Sequence, residues 1–194
     1  MAGLEQGLNS HNDTLIDHAI ARILMVHSII LSIGCIPLIY SGDELALLND
    51  YRYERDDSKK HDGRWVHRIP VTDEVIEQSK TLHTPQHKVT TGLQQRIAIR
   101  KQHRVFGQAE TRILNSDNAA IFAYERYTDD GKKLVAICNF SEHKQNISST
   151  YLGLDNGDIW QDFLSDLVKT PKPKILILIL ILKPYQVMWL TPQA

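Results

Sequence analysis

Cysteine is scarce. The chain has 194 residues and two cysteines, Cys35 and Cys138, far apart in the sequence. They form no paired metal-ligand spacing and no disulfide framework, so the compartment is open, with cytoplasm as the expectation and secretion of a longer precursor as the alternative. An excess of one charge is also missing: 22 Lys and Arg stand against 23 Asp and Glu. Nucleic-acid and anionic-membrane surfaces need clustered positive charge, so neither partner is expected. There is no Gly-rich phosphate loop, no G-x-S-x-G elbow and no H-E-x-x-H pair. Nucleotide, serine-hydrolase and zinc-protease readings therefore lack support, and neither a cofactor nor a metal is expected. No internal repeat is found. The first twelve residues (MAGLEQGLNSHN) have no basic start and no apolar centre, so they form no signal peptide and read as a loop.

What is present is ordinary globular composition, 42% hydrophobic and 23% charged, on a chain sized for one or two domains. Residues 13–33 repeat apolar side chains at three- and four-residue spacing: Ile16, Ile20, Ile23, Ile30. That predicts a helix, capped by Asn12 or Asp13 and stopped at Gly34, with a face wide enough to demand burial. Ile36-Pro37-Leu38-Ile39-Tyr40 predicts a buried parallel strand over 36–40. The stretch from Ile23 to Tyr40 is about 18 residues without a formal charge, near a bilayer span. His27, Ser28, Ser32, the Gly34 break and Pro37 argue for a buried helix, a tight turn and a strand instead. Residues 41–84 are polar and charge-rich, too long for a plain connector and therefore expected to be a functional loop. Thr84-Pro85 opens a second helix over 85–104.

After Gly107 short runs alternate with turn signals. Runs at 119–126, 134–140, 146–151, 159–164, 174–182 and 186–190, with Asp130-Gly131 between the first two, predict an antiparallel β-sandwich. The monotonous Ile/Leu run 175–182 is expected to be buried on both faces. The division follows: residues 1–107 form an α/β part and 108–194 an all-β domain. Helix, buried strand, elaborated loop and helix is the order that closes a (β/α)8 barrel, whose active-site groups sit on the loops after the strands.

Candidate chemistry lies on that loop. Asp43 and Glu44 are adjacent carboxylates, but a glycosidic acid and nucleophile must face one bond, and sequence neighbours point apart. Anchoring or capping is the better account. Arg64, in Asp62-Gly63-Arg64-Trp65-Val66-His67-Arg68, offers a guanidinium that can fork onto a carboxylate or sugar hydroxyls. His61 and His67 with Asp57 and Asp62 are the densest metal-like group, without ligand spacing. Trp160 and Trp189 could hold glucan on a non-catalytic binding module, although core burial is the stronger expectation.

At these residues the chain resembles a known family. Ile36-Pro-Leu-Ile-Tyr-Ser-Gly-Asp-Glu-Leu45 is similar to the last barrel strand of the α-amylase superfamily, glycoside hydrolase family 13. Leu48-Asn-Asp-Tyr51, Asp62 to Arg68, Cys138-Asn-Phe-Ser-Glu142 and Lys183 to Leu190 resemble amylosucrase and the related sucrose hydrolase. The resemblance spans essentially the whole chain. It implies α/β plus all-β architecture: the last βα segment of a (β/α)8 barrel followed by a β-sandwich. It implies a retaining glucosyltransferase that uses sucrose to build α-1,4-glucan, with a sucrose hydrolase as the alternative. The catalytic carboxylates of that family lie on earlier barrel strands, so no catalytic residue is assigned here and the chain alone is expected to be inactive. Arg64 is the one substrate-binding residue carried over, matching an Arg that pairs with an upstream Asp at the floor of the glucosyl subsite. Gly63 departs from the commoner residue at its position. The partners implied are sucrose, α-glucan and the remaining part of the barrel.

Overall fold

A computed structural model describes residues 2–154, 160–165 and 179–192. The helices among the described residues are α1 (Leu4–Asn9), α2 (Asp13–Ser32), α3 (Asp73–Lys80) and α4 (Pro85–Gln102). The strands among the described residues are β1 (Glu110–Leu114), β2 (Ile121–Tyr127), β3 (Lys133–Asn139), β4 (Gln145–Ser148), β5 (Trp160–Asp162), β6 (Ile179–Leu182) and β7 (Val187–Pro192). The chain divides into two compact units, 1–20 with 39–94 and 21–38 with 95–194.

In the first unit local signals set the helix starts. Asn12 Oδ1 accepts from Leu15 N at 3.1 Å and caps α2, and Thr84 Oγ1 accepts from His87 N at 3.1 Å and caps α4. Lys88 Nζ reaches Asp17 Oδ1 at 2.8 Å. Two expectations are corrected here. Residues 4–9 are helical rather than loop, a single six-residue segment too short to show a period. The stretch 41–84 is not one loop: it holds α3, opened by Thr72 Oγ1 on Val75 N, and three short 3-10 turns, Asp43–Leu45, Tyr51–Arg55 and Gly63–His67. Asp73 and Glu74 at the start of α3 and Lys80 at its end match the helix dipole.

The second unit is built on an antiparallel five-stranded sheet ordered β1-β2-β3-β7-β5, with a two-stranded sheet of β4 and β6. β2 and β3 form the hairpin around Asp130-Gly131, with Tyr127 opposite Lys133 and Gly131 at φ 82°. Val135 and Ile137 of β3 join Ile121, Ile147, Leu180, Leu182 and Trp160 in one core cluster. Their neighbours Leu134, Ala136 and Cys138 join Met25, Leu31, Phe106, Tyr124 and Trp189 in another. Central strand β3 is thus buried on both faces, as the period of two requires when both faces are covered.

The strand boundaries also differ from expectation. β1 was not anticipated, because its edge position leaves Glu110 to Arg112 exposed and blurs the alternation. The run 146–151 ends as a strand at Ser148 and turns through Ser149–Leu152. Residue 159 and residues 174–178, parts of the runs 159–164 and 174–182, lie outside the described residues. Within β6, Leu180 and Leu182 are buried while Ile179 and Ile181 are 65% and 62% exposed. Burial of both faces is corrected: β6 pairs with β4 alone, and one face of that two-stranded sheet is uncovered among the described residues.

The predicted strand 36–40 is the main correction. Residues 36–40 take no part in a strand pairing among the described residues. Ile36 is 94% exposed and Leu38 83%. A parallel strand exists only between neighbours that accept its N–H and C=O groups, and no parallel partner is found among the described residues. α2 is long and apolar enough to cross a membrane by length and composition. Its polar groups in the second unit are engaged inside the protein: Arg22 donates to the Tyr185 hydroxyl at 2.9 Å, and Ser28 Oγ accepts from Arg96 Nε at 2.7 Å.

Candidate functional site

The site grows from a local rule. An Asp preceding a tight turn accepts the N–H two residues on, and its carboxylate is then aimed along the chain. Asp62 does this: Oδ1 accepts from Arg64 N at 3.0 Å. The Arg64 side chain folds back on the same carboxylate, with Nε on Oδ1 at 2.8 Å and Nη2 on Oδ2 at 2.9 Å. A bidentate fork fixes the plane of the guanidinium. Arg64 hydrogen bonding holds the Asp62 carboxyl below its ordinary range, and the same bonds raise Arg64, so the pair stays ionised. Arg64 nonetheless remains exposed, with 76% of its side chain accessible. It is oriented in advance and open to a ligand.

A cavity of about 520 Å³ is lined by Arg64, His67, Arg68, Tyr40, Ser41 and Asp43 among others. The residues after the 36–40 segment and the Arg64 turn, some twenty positions apart, therefore border one space. Trp65 is half-buried, with Lys59 Nζ and the Arg68 guanidinium 5.0 and 5.2 Å from its ring centre. It acts as the packing wall of the turn, where each cation gains from the ring face.

The other candidates resolve in structural terms. Glu44 Oε2 accepts from Gly42 N at 2.8 Å, and the Glu44 carbonyl accepts from Thr90 Oγ1 at 2.7 Å, so Glu44 anchors its own turn. Asp43 opens the 3-10 turn and lines the Arg64 cavity. Trp160 and Trp189 are 2% and 0% exposed, which removes both as glucan platforms. Among the described residues, no three His, Cys, Asp or Glu side chains could hold a metal ion.

One feature went unread in the sequence. Asp50-Tyr51-Arg52-Tyr53 repeats the Asp-x-Arg-aromatic pattern of Asp62-Gly63-Arg64-Trp65. Asp50 accepts from Arg52 N at 2.9 Å, from Nε at 2.8 Å and from Nη2 at 2.7 Å, reproducing the fork. Asp50 N in turn donates to Val66 O at 3.0 Å, tying the two turns together. A four-residue echo at twelve-residue separation was the available signal.

No family model matches the chain. It is similar to the curated glucosylglycerate phosphorylase of Escherichia coli (strain K12), with 27% identity over 176 residues, 88% of this chain and 28% of the relative. It thus spans less than a third of that protein's length. Its fold is similar to that of a variant of trehalulose synthase MutB, from Pseudomonas mesoacidophila MX-45, in complex with its substrate sucrose. There the TM-score is 0.62 at 16% identity, over 89% of this chain and 38% of that one. AmyP in complex with maltotriose gives a TM-score of 0.64 at 11% identity, over 92% and 38%. Trehalose-6-phosphate hydrolase of Bacillus licheniformis gives 0.61 at 18%, over 90% and 39%. The likeness to these solved structures, all below 20% identity, is a shared fold over the part of each that the chain covers.

Proposed function

We propose that this chain is a C-terminal part of an amylosucrase-like retaining enzyme that moves a glucosyl unit from sucrose to α-glucan, with Arg64 in the glucosyl pocket. In this reading residues 1–107 are the last βα segment of a (β/α)8 barrel and residues 108–194 its β-sandwich. The carrying observation is the Asp62-oriented, exposed Arg64 on one cavity with Tyr40 and Asp43. A guanidinium held in plane can donate to sugar hydroxyls and pair with a carboxylate from the rest of the barrel. The unpaired, exposed Ile36 and Leu38 suit a strand completed by neighbours. The retaining reaction needs a carboxylate nucleophile and an acid about 5 Å apart, which the resemblance places on other barrel strands.

The test begins with the native polypeptide, detected with an antibody against residues 108–194 and sized by mass spectrometry. A product several-fold heavier than 22.2 kDa is expected. That product releases fructose from sucrose, and Arg64→Ala lowers its kcat/KM about 100-fold or more, as loss of a bidentate positioning group does. The isolated 194-residue chain releases none. Fructose release by the isolated chain, or an Arg64→Ala variant of undiminished activity, overturns the reading. The likeness to a phosphorylase supports a second reading, in which inorganic phosphate accepts the glucosyl unit. Phosphate-dependent formation of glucose 1-phosphate, with no glucan, selects it.

A further inference from the structure

Arg64 is fixed within its own turn by Asp62, but that turn must itself be held in place. No residue of Gly63–His67 is buried, so core packing does not place it. Its bonds are mostly local. Trp65 N donates to Asp62 O, Arg68 N to Trp65 O and Asp62 N to Lys59 O, and the cations over the Trp65 ring are Lys59 and Arg68. Among the described residues, one hydrogen bond joins the turn to anything outside 59–68: Asp50 N to Val66 O at 3.0 Å. An exposed turn without such a tie moves on the nanosecond scale.

Asp50 can carry that tie because it is itself anchored. It follows Leu45 and Ala46, which are buried. That segment is pinned by Leu47 N on Gly42 O at 3.1 Å and by Thr90 Oγ1 on Glu44 O at 2.7 Å. It also carries Asp43, Leu47, Leu48 and Asn49, which line the Arg64 cavity. The Asp50 backbone is extended, with φ −110° and ψ 103°. Its carboxylate holds it there by accepting Arg52 N at 2.9 Å, Arg52 Nε at 2.8 Å and Arg52 Nη2 at 2.7 Å. The carboxylate is committed to the residues that follow, and the Asp50 N–H serves Val66. We propose that Asp50, locked by Arg52, is the positioning residue that holds Arg64 against the Tyr40–Asp43 side of its cavity. The proposal rests on the reading of Arg64 as the ligand-binding group. Asp62 sets the plane of the guanidinium, and Asp50 sets where that plane stands. Arg52 acts through Asp50 and Val66 and touches no ligand itself.

The test is nitrogen relaxation by NMR on the isotope-labelled 194-residue chain, read at the Arg64 Nε–H signal and the amides of residues 63–67. In the parent chain these groups should be rigid, with order parameters of about 0.85. Arg52→Ala should lower them towards about 0.6 and speed hydrogen exchange at Asp50 N–H about threefold, the scale of an exposed ion pair. Arg55→Ala removes the same charge from the same 3-10 turn. Arg55 has no part in the tie, so this exchange leaves the signals where they are. Asp50→Asn keeps an oxygen for Arg52 N, loses the charged fork and gives an intermediate value. The β2–β3 amide signals serve as the folding control. An Arg64 Nε–H signal as rigid in Arg52→Ala as in the parent overturns the proposal. So does equal loosening by Arg55→Ala, or a mobile turn in the parent chain. No sugar enters the measurement, so a larger product inactive on sucrose overturns the assigned reaction and leaves this result standing.

Discussion

At the scale of the residue, the two arginine forks show how a flexible side chain becomes a fixed one without being buried. Arg52 hydrogen bonding to Asp50 pulls that carboxyl from the ordinary 3.8 down to about 2. A depressed carboxylate contributes its ion pair fully above its ordinary value and loses it as pH falls through the folded value. The Asp50 fork should therefore stay closed well below pH 3.8 and open with a midpoint near pH 2, while its contribution to stability is lost as pH falls from about 3.8 to about 2. Carboxyl chemical shifts followed against pH check this, and Arg52→Ala should return the midpoint towards 3.8. The two cysteines make an opposite pair. Cys138 is buried in β3, and burial pushes its thiol up to about 12, whereas Cys35 is exposed. Thiolate is the reactive form, so a disulfide reagent at pH 8 should label Cys35 quickly and Cys138 only after unfolding. Equal labelling rates in the native protein would contradict the packing of β3.

At the scale of the element, the end of α2 is the point of greatest local demand. Two arginines take one carbonyl of its last turn and two in the turn that follows it. Arg126 Nη1 donates to Ile33 O at 2.9 Å, and Arg100 donates to Leu31 O at 2.5 Å and to Cys35 O at 3.0 Å. Cations at a helix C-terminus also oppose the helix dipole. Gly34 permits the turn, with φ 128°, and a Cβ there would lie 2.6 Å from Arg126 Nη1. Gly34→Ala should therefore cost about 1–3 kcal/mol through the strained backbone, with further loss if Arg126 is displaced. Urea unfolding of the variant measures it, and a cost below about 0.5 kcal/mol, the surface average, would refute the argument. Trp189 on β7 is fully buried and packs edge-on to Phe106, with ring centres 4.8 Å apart. Its indole Nε1 makes no hydrogen bond among the described residues. Trp189→Phe should thus be much milder than Trp189→Ala, for which about 3–5 kcal/mol is expected from the cavity. Similar losses in the two variants would mean that the indole N–H matters after all.

At the scale of the whole molecule, residues 36–40 are the feature that asks for an explanation. Ile36 and Leu38 put apolar surface in water beside an unpaired backbone. Such edges recruit other strands. The isolated chain should self-associate, and Ile36→Lys with Leu38→Lys should reduce association without lowering Tm, because neither side chain is packed. Sedimentation velocity and thermal melting read both quantities. A monodisperse parent chain, or a Tm lowered by the exchange, would remove the case for a strand awaiting neighbours.

Much of this was determined by the sequence alone wherever the cause is local. Asn12 and Thr84 start their helices because a side-chain oxygen reaches an N–H three residues on, and Asp130-Gly131 turns the β2–β3 hairpin because glycine tolerates positive φ. Arg64 was legible as a residue, from its neighbours and from the family it resembles. The tertiary structure alone decided what depends on distant partners. An apolar run is a strand only if others bond to it, so 36–40 is unpaired while 187–192 is a strand. β6 buries one face because a two-stranded sheet has one core side. The pairing of Arg64 with Asp62, and of Arg52 with Asp50, needed coordinates, since a guanidinium has several carboxylates within sequence reach and only the folded turn selects one.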